Sequence, residues 1–305
     1  SSLGVDALGA NTTGANNSAV GKAALGANTT GANNVAVGYQ ALDANQTGGQ
    51  NVAIGLAALG ANTASNNVAV GKDAAFSNTT GTQNVAVGKD TLRSNTTANN
   101  NTALGFFALF ANTTGTQNVA VGANALDANT TASHNSALGY GALTANTTGT
   151  QNNAFGAYAL QSITTGPHNL GVGYNAGGSI TTGSSNVAIG NYALDATTTA
   201  NNNTAVGYAA LSANTAGSNT AVGTNALLTN TTGTQNVAVG TETLDANTTG
   251  DSCTAVGYQA LTANTASNST AVGRRALYAN SSGGNNSAVG QNALANNATG
   301  SNNIA

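Results

Sequence analysis

A glycine preceded by an apolar residue recurs along the whole chain at a nearly constant interval. The spacing is 17 residues except at three places, where it is 16. The glycines are Gly4, Gly21, Gly38, Gly55, Gly71, Gly88, Gly105, Gly122, Gly139, Gly156, Gly173, Gly190, Gly207, Gly223, Gly240, Gly257, Gly273 and Gly290. Short fixed periods are typical of solenoids, in which each repeat packs only on its neighbours. We therefore predict one domain over residues 1–305, a continuous repeat array that is part of a longer fibre or a polymerising subunit.

The consensus unit, N-x-A-V-G-x-x-A-L-x-A-N-T-T-G-x-x, contains two short apolar segments separated by two turns. The three short units each lose one residue after the "ANT" segment, at 62–66, 214–218 and 264–268, which marks a surface loop. The apolar segments are too short for helices, and β-branched residues favour strands. The unit thus predicts an all-β fold with two strands per turn. The expected fold is a parallel β-solenoid, or β-roll, of about 18 turns with 17 (sometimes 16) residues each.

Charged side chains occupy few positions of the repeat. Of 15 charged residues, 14 lie one, two or five positions after the repeat glycine, as in Lys72, Asp73 and Asp43, and Asp251 lies in the loop. Because burying an unpaired charge is costly, these positions are expected to face solvent.

Seven positions after the glycine, asparagine is present in 15 of 18 units.

Two asparagine positions indicate stacked side chains. Copies in adjacent turns of a parallel stack lie about 4.8 Å apart, which allows amide ladders. The predicted ladder residues include Asn45, Asn62, Asn112 and Asn129 in one column and Asn51, Asn67 and Asn118 in the other. The exceptions cluster in adjacent units: Ile163, Ile180 and Thr197 in the first column, Cys253 and Ser269 in the second. Clustering favours a ladder, because isolated gaps leave more amides unpaired. Recent duplication would produce the same clustering.

Both faces of the first strand are uniform. The residue before the glycine is apolar in every unit, as in Val37, Ile54 and Leu104, and the residue before that is nearly always alanine. Neighbouring strand residues point to opposite faces. We expect one face to fill the coil and the other to pack against another chain, which predicts self-association as a homotrimer or a head-to-tail polymer. The alternative is a lone two-sheet solenoid with a small-residue outer surface.

The core motif, [NS]-x-A-[VIL]-G-x-x-A, occurs as "NVAVGKDT" (84–91), "NSALGYGA" (135–142) and "NVAIGNYA" (186–193). It resembles the head repeats of trimeric autotransporter adhesins, and similar repeats occur in phage and virus tail-fibre proteins. The resemblance covers the whole chain and implies a left-handed parallel β-roll with three chains about one axis. The adhesin unit is nearer 14 residues, so this chain departs from it by the added "ANTTG" loop.

The sequence offers little for catalysis or cofactor binding. His134 and His168 occupy a loop position without further ligands nearby, and Cys253 replaces a ladder asparagine. We therefore expect no enzyme activity, catalytic residue, metal site or cofactor. Six basic residues and a net charge of −3 argue against nucleic-acid binding. No apolar run reaches the roughly 20 residues of a membrane span.

Two local departures from the repeat stand out. Phe76, Phe106, Phe107 and Phe110 lie at solvent-facing positions and predict an apolar contact patch, or a boundary between stacked chains. The unit containing Pro167, Gly171, Gly177 and Gly178 predicts a local structural defect such as a kink.

The low charge and the repeated architecture favour a mechanical role. We expect a rod-like shaft or adhesive segment of an extracellular, cell-surface or virion fibre, with a surface receptor that the sequence does not identify. One alternative is a head-to-tail polymerising filament subunit. Another is an ice-binding β-solenoid that uses the threonines of the "NTT" loops, although these are adjacent rather than alternate.

Overall fold

The computed structural model describes residues 1–305 and confirms the predicted fold class. It contains 18 parallel strands, one in each solenoid turn of about 17 residues, and no helix. The chain divides into two compact units, Ser1–Asn152 and Asn153–Ala305.

The strands are short, and nearly all contain three residues. The first unit contains β1 (Ser2–Leu3), β2 (Ser18–Val20), β3 (Val35–Val37), β4 (Val52–Ile54), β5 (Val68–Val70), β6 (Val85–Val87), β7 (Thr102–Leu104), β8 (Val119–Val121) and β9 (Ser136–Leu138). The second contains β10 (Asn153–Phe155), β11 (Leu170–Val172), β12 (Val187–Ile189), β13 (Thr204–Val206), β14 (Thr220–Val222), β15 (Val237–Val239), β16 (Thr254–Val256), β17 (Thr270–Val272) and β18 (Ser287–Val289).

Within each unit, every strand pairs with the next at equivalent repeat positions. Ala36 pairs with Ala53, one 17-residue unit later, and Ala53 pairs with Ala69, one 16-residue unit later. The missing residue therefore changes the loop without shifting the strand register, as expected when an in-register stack buries one face of every strand.

The prediction of a second strand in each turn is wrong. The residues two and four positions after the glycine have positive φ, for example 53° at Gln40 and 55° at Leu42, so this segment is not extended. It nevertheless bonds along the stack: Leu42 N donates to Ala58 O at 3.0 Å. Leucine rarely adopts positive φ because its Cβ crowds the backbone. Apolar spacing alone does not reveal such a conformation.

The repeat glycine is required by close backbone stacking. Gly38 has φ 138°, and a Cβ added there would lie 2.4 Å from Gly55 O in the next turn. The same approach recurs at Gly88, whose added Cβ would lie 2.6 Å from Gly105 O. Only glycine tolerates both the conformation and the contact.

The core of each turn is lined by alanine, leucine and asparagine. Ala36 and Leu42 are fully buried, whereas Val35 and Val37 are 36% and 38% exposed. The alanine face of the strand thus points inward, and the larger apolar side chains point outward. Of the two faces, the alanine face is therefore the one that fills the coil, and the other has no partner within a single copy of the chain. The interior is narrow: a Cβ added at Gly171, an alanine position in other turns, would lie 2.7 Å from Leu160 Cγ.

Candidate functional site

The first asparagine column forms a side-chain ladder inside the solenoid. Asn112 Nδ2 donates to Asn95 Oδ1 at 3.0 Å, and Asn129 Nδ2 donates to Asn112 Oδ1 at 2.9 Å. Asn112 Nδ2 also donates to Gly115 O at 3.0 Å, which closes the loop of its own turn. These asparagines are fully buried. Each amide therefore joins two turns and one loop, which confirms the predicted ladder.

The second asparagine column ties the strands to the loops. Asn51 N donates to Asn34 Oδ1 and Asn67 N donates to Asn51 Oδ1, both at 3.0 Å. Asn118 N donates to Asn101 Oδ1 at the same distance. Side-chain nitrogens in this column donate to loop carbonyls, as Asn51 Nδ2 does to Ala64 O at 2.8 Å. This column is a ladder of side chain to backbone, with only occasional amide-to-amide bonds.

The first ladder is interrupted at a 16-residue turn. Asn62 Nδ2 donates to Ala64 O of its own shortened loop at 2.9 Å, and Asn45 Oδ1 has no hydrogen-bond partner. The ladder resumes at once, because Asn78 Nδ2 donates to Asn62 Oδ1 at 2.6 Å. The loss of one loop residue thus removes one hydrogen bond of the ladder. It is destabilising because the Asn45 acceptor is buried away from water without a hydrogen-bond partner.

The isoleucines of the first column are compensated by glycines in the core. Ile163 and Ile180 are fully buried. Gly177 stands at the leucine position, and a Cβ added there would lie 2.7 Å from Leu160 Cδ2 and 3.0 Å from Ile180 Cδ1. The turn of Ile180 therefore has a smaller residue at the leucine position, and the space at Gly177 is filled by Ile180 and by Leu160 of the preceding turn, as close packing requires.

Strand pairing is continuous through this region. Strand β11 keeps the common parallel register with both β10 and β12. The unusual composition therefore repacks the core and leaves the strand in place.

The other column exceptions are also buried. Thr197 Oγ1 donates to Asn214 O at 2.7 Å. Cys253 N donates to Asn236 Oδ1 at 2.9 Å, so its backbone still joins the second ladder. Burial raises the pKa of the Cys253 thiol, which disfavours the reactive thiolate.

Charged residues lie at the surface except at one place. Asp90 is only 8% exposed, and both Lys89 Nζ and Arg93 Nε lie 3.4 Å from its carboxylate oxygens. The expectation that all charged positions face solvent is therefore wrong at Asp90, where two cations compensate for burial. Burial also raises the pKa of Asp43 and of Asp245, and the negative charge of Glu242 adds to the effect at Asp245.

The four predicted patch phenylalanines divide into a cluster and a separate ring. The Phe107 ring lies 4.2 Å from the Phe106 centroid and 4.8 Å from the Phe110 centroid, both edge to face. Phe76 instead faces the guanidinium of Arg93, 5.9 Å from its ring centroid. Phe76 and Phe106 are exposed.

A row of tyrosines in the second unit was not predicted. The rings of Tyr158, Tyr174, Tyr192 and Tyr208 follow one another at centroid distances of 5.9, 5.5 and 6.1 Å, each pair edge to face. The sequence places all tyrosines in surface columns, but two of these use one column and two the neighbouring one. Their contact depends on the turn conformation between the columns, which the repeat pattern does not give.

The structure gathers no constellation of acid, base and nucleophile. His134 and His168 are exposed on the loops. Across all 305 residues, no three histidine, cysteine, aspartate or glutamate side chains lie close enough to hold a metal ion. A surface pocket of about 340 Å³ beside Arg275 and Tyr278 is otherwise lined by asparagine and alanine. None of the chain forms a helix long and apolar enough to cross a bilayer.

The most extensive surface feature is the outward face of the strands, here called the strand strip. It consists of the first and third residues of each three-residue strand. The third residues are Val20, Val37, Ile54, Val70, Val87, Leu104, Val121 and Leu138 in the first unit and Phe155, Val172, Ile189, Val206, Val222, Val239, Val256, Val272 and Val289 in the second. Many of these are exposed, up to 49% at Leu138 and 68% at Val289.

The fold defines the chain as a parallel β-solenoid repeat protein. No protein-family model matches it, and the search of curated proteins found no match.

Proposed function

We propose that this chain is a structural segment of an extracellular or virion fibre and that it associates with copies of itself. The observation that carries the proposal is the pair of buried asparagine ladders, which bond successive turns to each other through side chains as well as backbone. A protein devoted to binding a small molecule has no need for such reinforcement in nearly every turn. A segment that bears load or is exposed to proteases does need it, because each additional bond between turns resists local opening.

The loops add a second set of bonds along the stack. In the first unit, Thr29 N, Thr30 N and Gly31 N all donate to Gln46 O of the next turn, at 2.9 to 3.2 Å. Thr29 Oγ1 donates to the same carbonyl at 3.0 Å. Even the variable segment of the turn therefore contributes to cohesion, which suits a durable extracellular material.

These bonds also bear on the ice-binding alternative. The first threonine of the "NTT" loop uses its hydroxyl within the protein, as Thr12 Oγ1 and Thr79 Oγ1 do by donating to Thr29 O and Thr96 O. Only the second threonine keeps a free orientation, which leaves one column instead of a two-column array. Thermal hysteresis measurements test the alternative directly, and ice shaping would restore it.

Light scattering combined with electron microscopy of the purified chain tests the proposal, together with digestion by a protease of broad specificity. We expect assemblies larger than the 29.3 kDa chain and slow digestion, because local opening of a turn breaks both ladders. A monomer at all concentrations that is cleaved rapidly within the array would refute the proposal. Filaments one chain wide would favour head-to-tail polymerisation, and a threefold mass would favour the adhesin-like trimer.

A further inference from the structure

The strand strip is an apolar surface that has no partner within the chain. In the first unit, Val37 and Leu104 are 38% and 41% exposed while the alanines between the outward residues are fully buried. The exposure follows from the narrow interior, which admits only alanine from this strand. A soluble monomer gains nothing from placing a large apolar residue at this position in every turn.

The strip carries no charge at any of its positions. Its third residues are all valine, isoleucine, leucine or phenylalanine, and its first residues are valine, leucine, threonine, serine or asparagine. Charged residues do occur two positions beyond the strip's third residue, as at Lys22 and Lys89. Isolated apolar residues on a surface are ordinary, but a regular column of them indicates a contact surface.

The area of the strip is large enough for a stable interface. Eight turns at about 4.8 Å each, with a width of roughly 10 Å for two columns of side chains, give about 400 Å² per unit. The third-residue column, about half of this area, is apolar in every turn, whereas the first-residue column also includes serine, threonine and asparagine. If both units are covered, one chain contributes about 800 Å², the contribution of each partner to a standard-size interface.

The form of the strip favours one particular occupant. It is a single strand wide, and a partner with the same repeat spacing can fit its side chains between the rows. A second copy of this chain provides that spacing. Each unit has one such strip. A twofold interface uses the same patch on both copies, which a single strip can provide. A ring of three copies instead uses two different patches on each chain, or one patch from each chain meeting at the threefold axis.

We propose that the strand strip packs face to face against the strand strip of a second copy of this chain. The proposal rests on the self-association proposed above and names the surface and the number of copies. The two sheets would lie about 10 Å apart, as facing sheets do, with the outward valines of both copies removed from water.

Charges introduced into the strip provide the first test. The strip variant is Val37→Glu, Val121→Glu and Val239→Glu in one chain. The matched control places the same charges two residues later, outside the strip, as Tyr39→Glu, Ala123→Glu and Thr241→Glu. Light scattering over a range of concentrations gives the mass of each, and circular dichroism shows whether each remains folded. We expect twice the 29.3 kDa chain mass for the wild type and the control, and the chain mass for the strip variant.

A tryptophan reporter provides a second test that does not depend on disrupting the interface. The chain has no tryptophan, so Val121→Trp and Ala123→Trp each introduce a unique fluorophore. We expect the tryptophan at position 121 to be shielded from acrylamide and to become quenchable when dilution dissociates the pair. The tryptophan at position 123 is expected to be quenchable throughout.

Each outcome is informative. A strip variant that keeps the wild-type mass would overturn the strip as the interface while leaving self-association intact. A threefold mass would overturn the face-to-face pair in favour of a trimer. A monomeric wild type with an exposed tryptophan at position 121 would overturn both this proposal and the self-association on which it rests.

Discussion

Replacing one rung of the first ladder should weaken the stack locally and strongly. Asn112 receives one hydrogen bond from Asn129 Nδ2 and donates to Asn95 Oδ1 and to Gly115 O. Asn112→Ala removes all three bonds. Gly115 O keeps a donor, Asn101 Nδ2 at 2.9 Å.

The magnitude follows from the groups left without partners. Asn95 Oδ1 and one N–H of Asn129 stay buried and unpaired, at about 1–3 kcal/mol each, so we expect a loss of about 4 kcal/mol. Asn129 keeps its bond to Ala132 O at 3.1 Å, which limits the damage to one N–H.

Amide hydrogen exchange measured by mass spectrometry is the suitable assay. A repeat array need not unfold in two states, so a single midpoint can miss a local effect. A local loss of about 4 kcal/mol corresponds to roughly thousandfold faster exchange, since each 1.4 kcal/mol is a factor of ten. The effect should be confined to peptides covering the turns of Asn95, Asn112 and Asn129.

The control is Thr114→Ala, two residues away on the exposed side of the same loop. An exposed substitution of this kind should change stability by no more than about 0.5 kcal/mol. If exchange in Asn112→Ala matches that in Thr114→Ala, the ladder does not stabilise the stack. Adjacent removal, Asn112→Ala with Asn129→Ala, should cost less than the sum of the two, whereas Asn28→Ala with Asn112→Ala should be additive.

Three further predictions concern the loop, the core and a surface carboxylate. Inserting one glycine between Ala64 and Ser65 should let the Asn62 amide reach Asn45 Oδ1 and slow exchange in that turn; unchanged exchange would contradict this account of the break. Gly177→Leu should destabilise the turns around it, and adding Ile180→Asn should restore part of the loss, measured as amide exchange in the peptides that cover these turns; additive losses would contradict the proposed compensation. Because burial raises the folded-state pKa of Asp245, wild-type stability should increase as pH falls through that pKa towards the ordinary value of 3.8. Asp245→Asn should therefore stabilise the chain at pH 7 and lose this advantage near pH 3; an equal effect at both pH values would contradict the prediction.

Much of the fold could be predicted because the repeat reports it many times over. The nearly constant spacing of the glycines predicted the stack, and the clustered exceptions in the column of Asn112 indicated that its amides interact. The position of the lost residue correctly separated a tolerant loop from the fixed turn, as the unbroken pairing of Ala53 with Ala69 shows.

The features that were missed depend on backbone conformation and on interior width. Leu42 follows an alanine with the spacing of a strand, yet its φ is positive, and no side-chain pattern distinguishes the two. The inward direction of Ala36 and the outward direction of Val37 were undetermined because both positions are equally uniform. The distance between the two sides of a turn decides whether the alanine or the larger apolar side chain fits inside.

The first ladder has a direction. Every rung from Asn78 to Asn146 donates its amide hydrogen towards the preceding turn, and the run ends with an oxygen, Asn146 Oδ1, that has no donor. The run from Asn11 to Asn45 ends in the same way at Asn45 Oδ1. The side-chain amide dipoles within each run are therefore aligned, and the two ends of the run are chemically different. Each run therefore has a chemical direction along the stack, although its repeats are nearly identical.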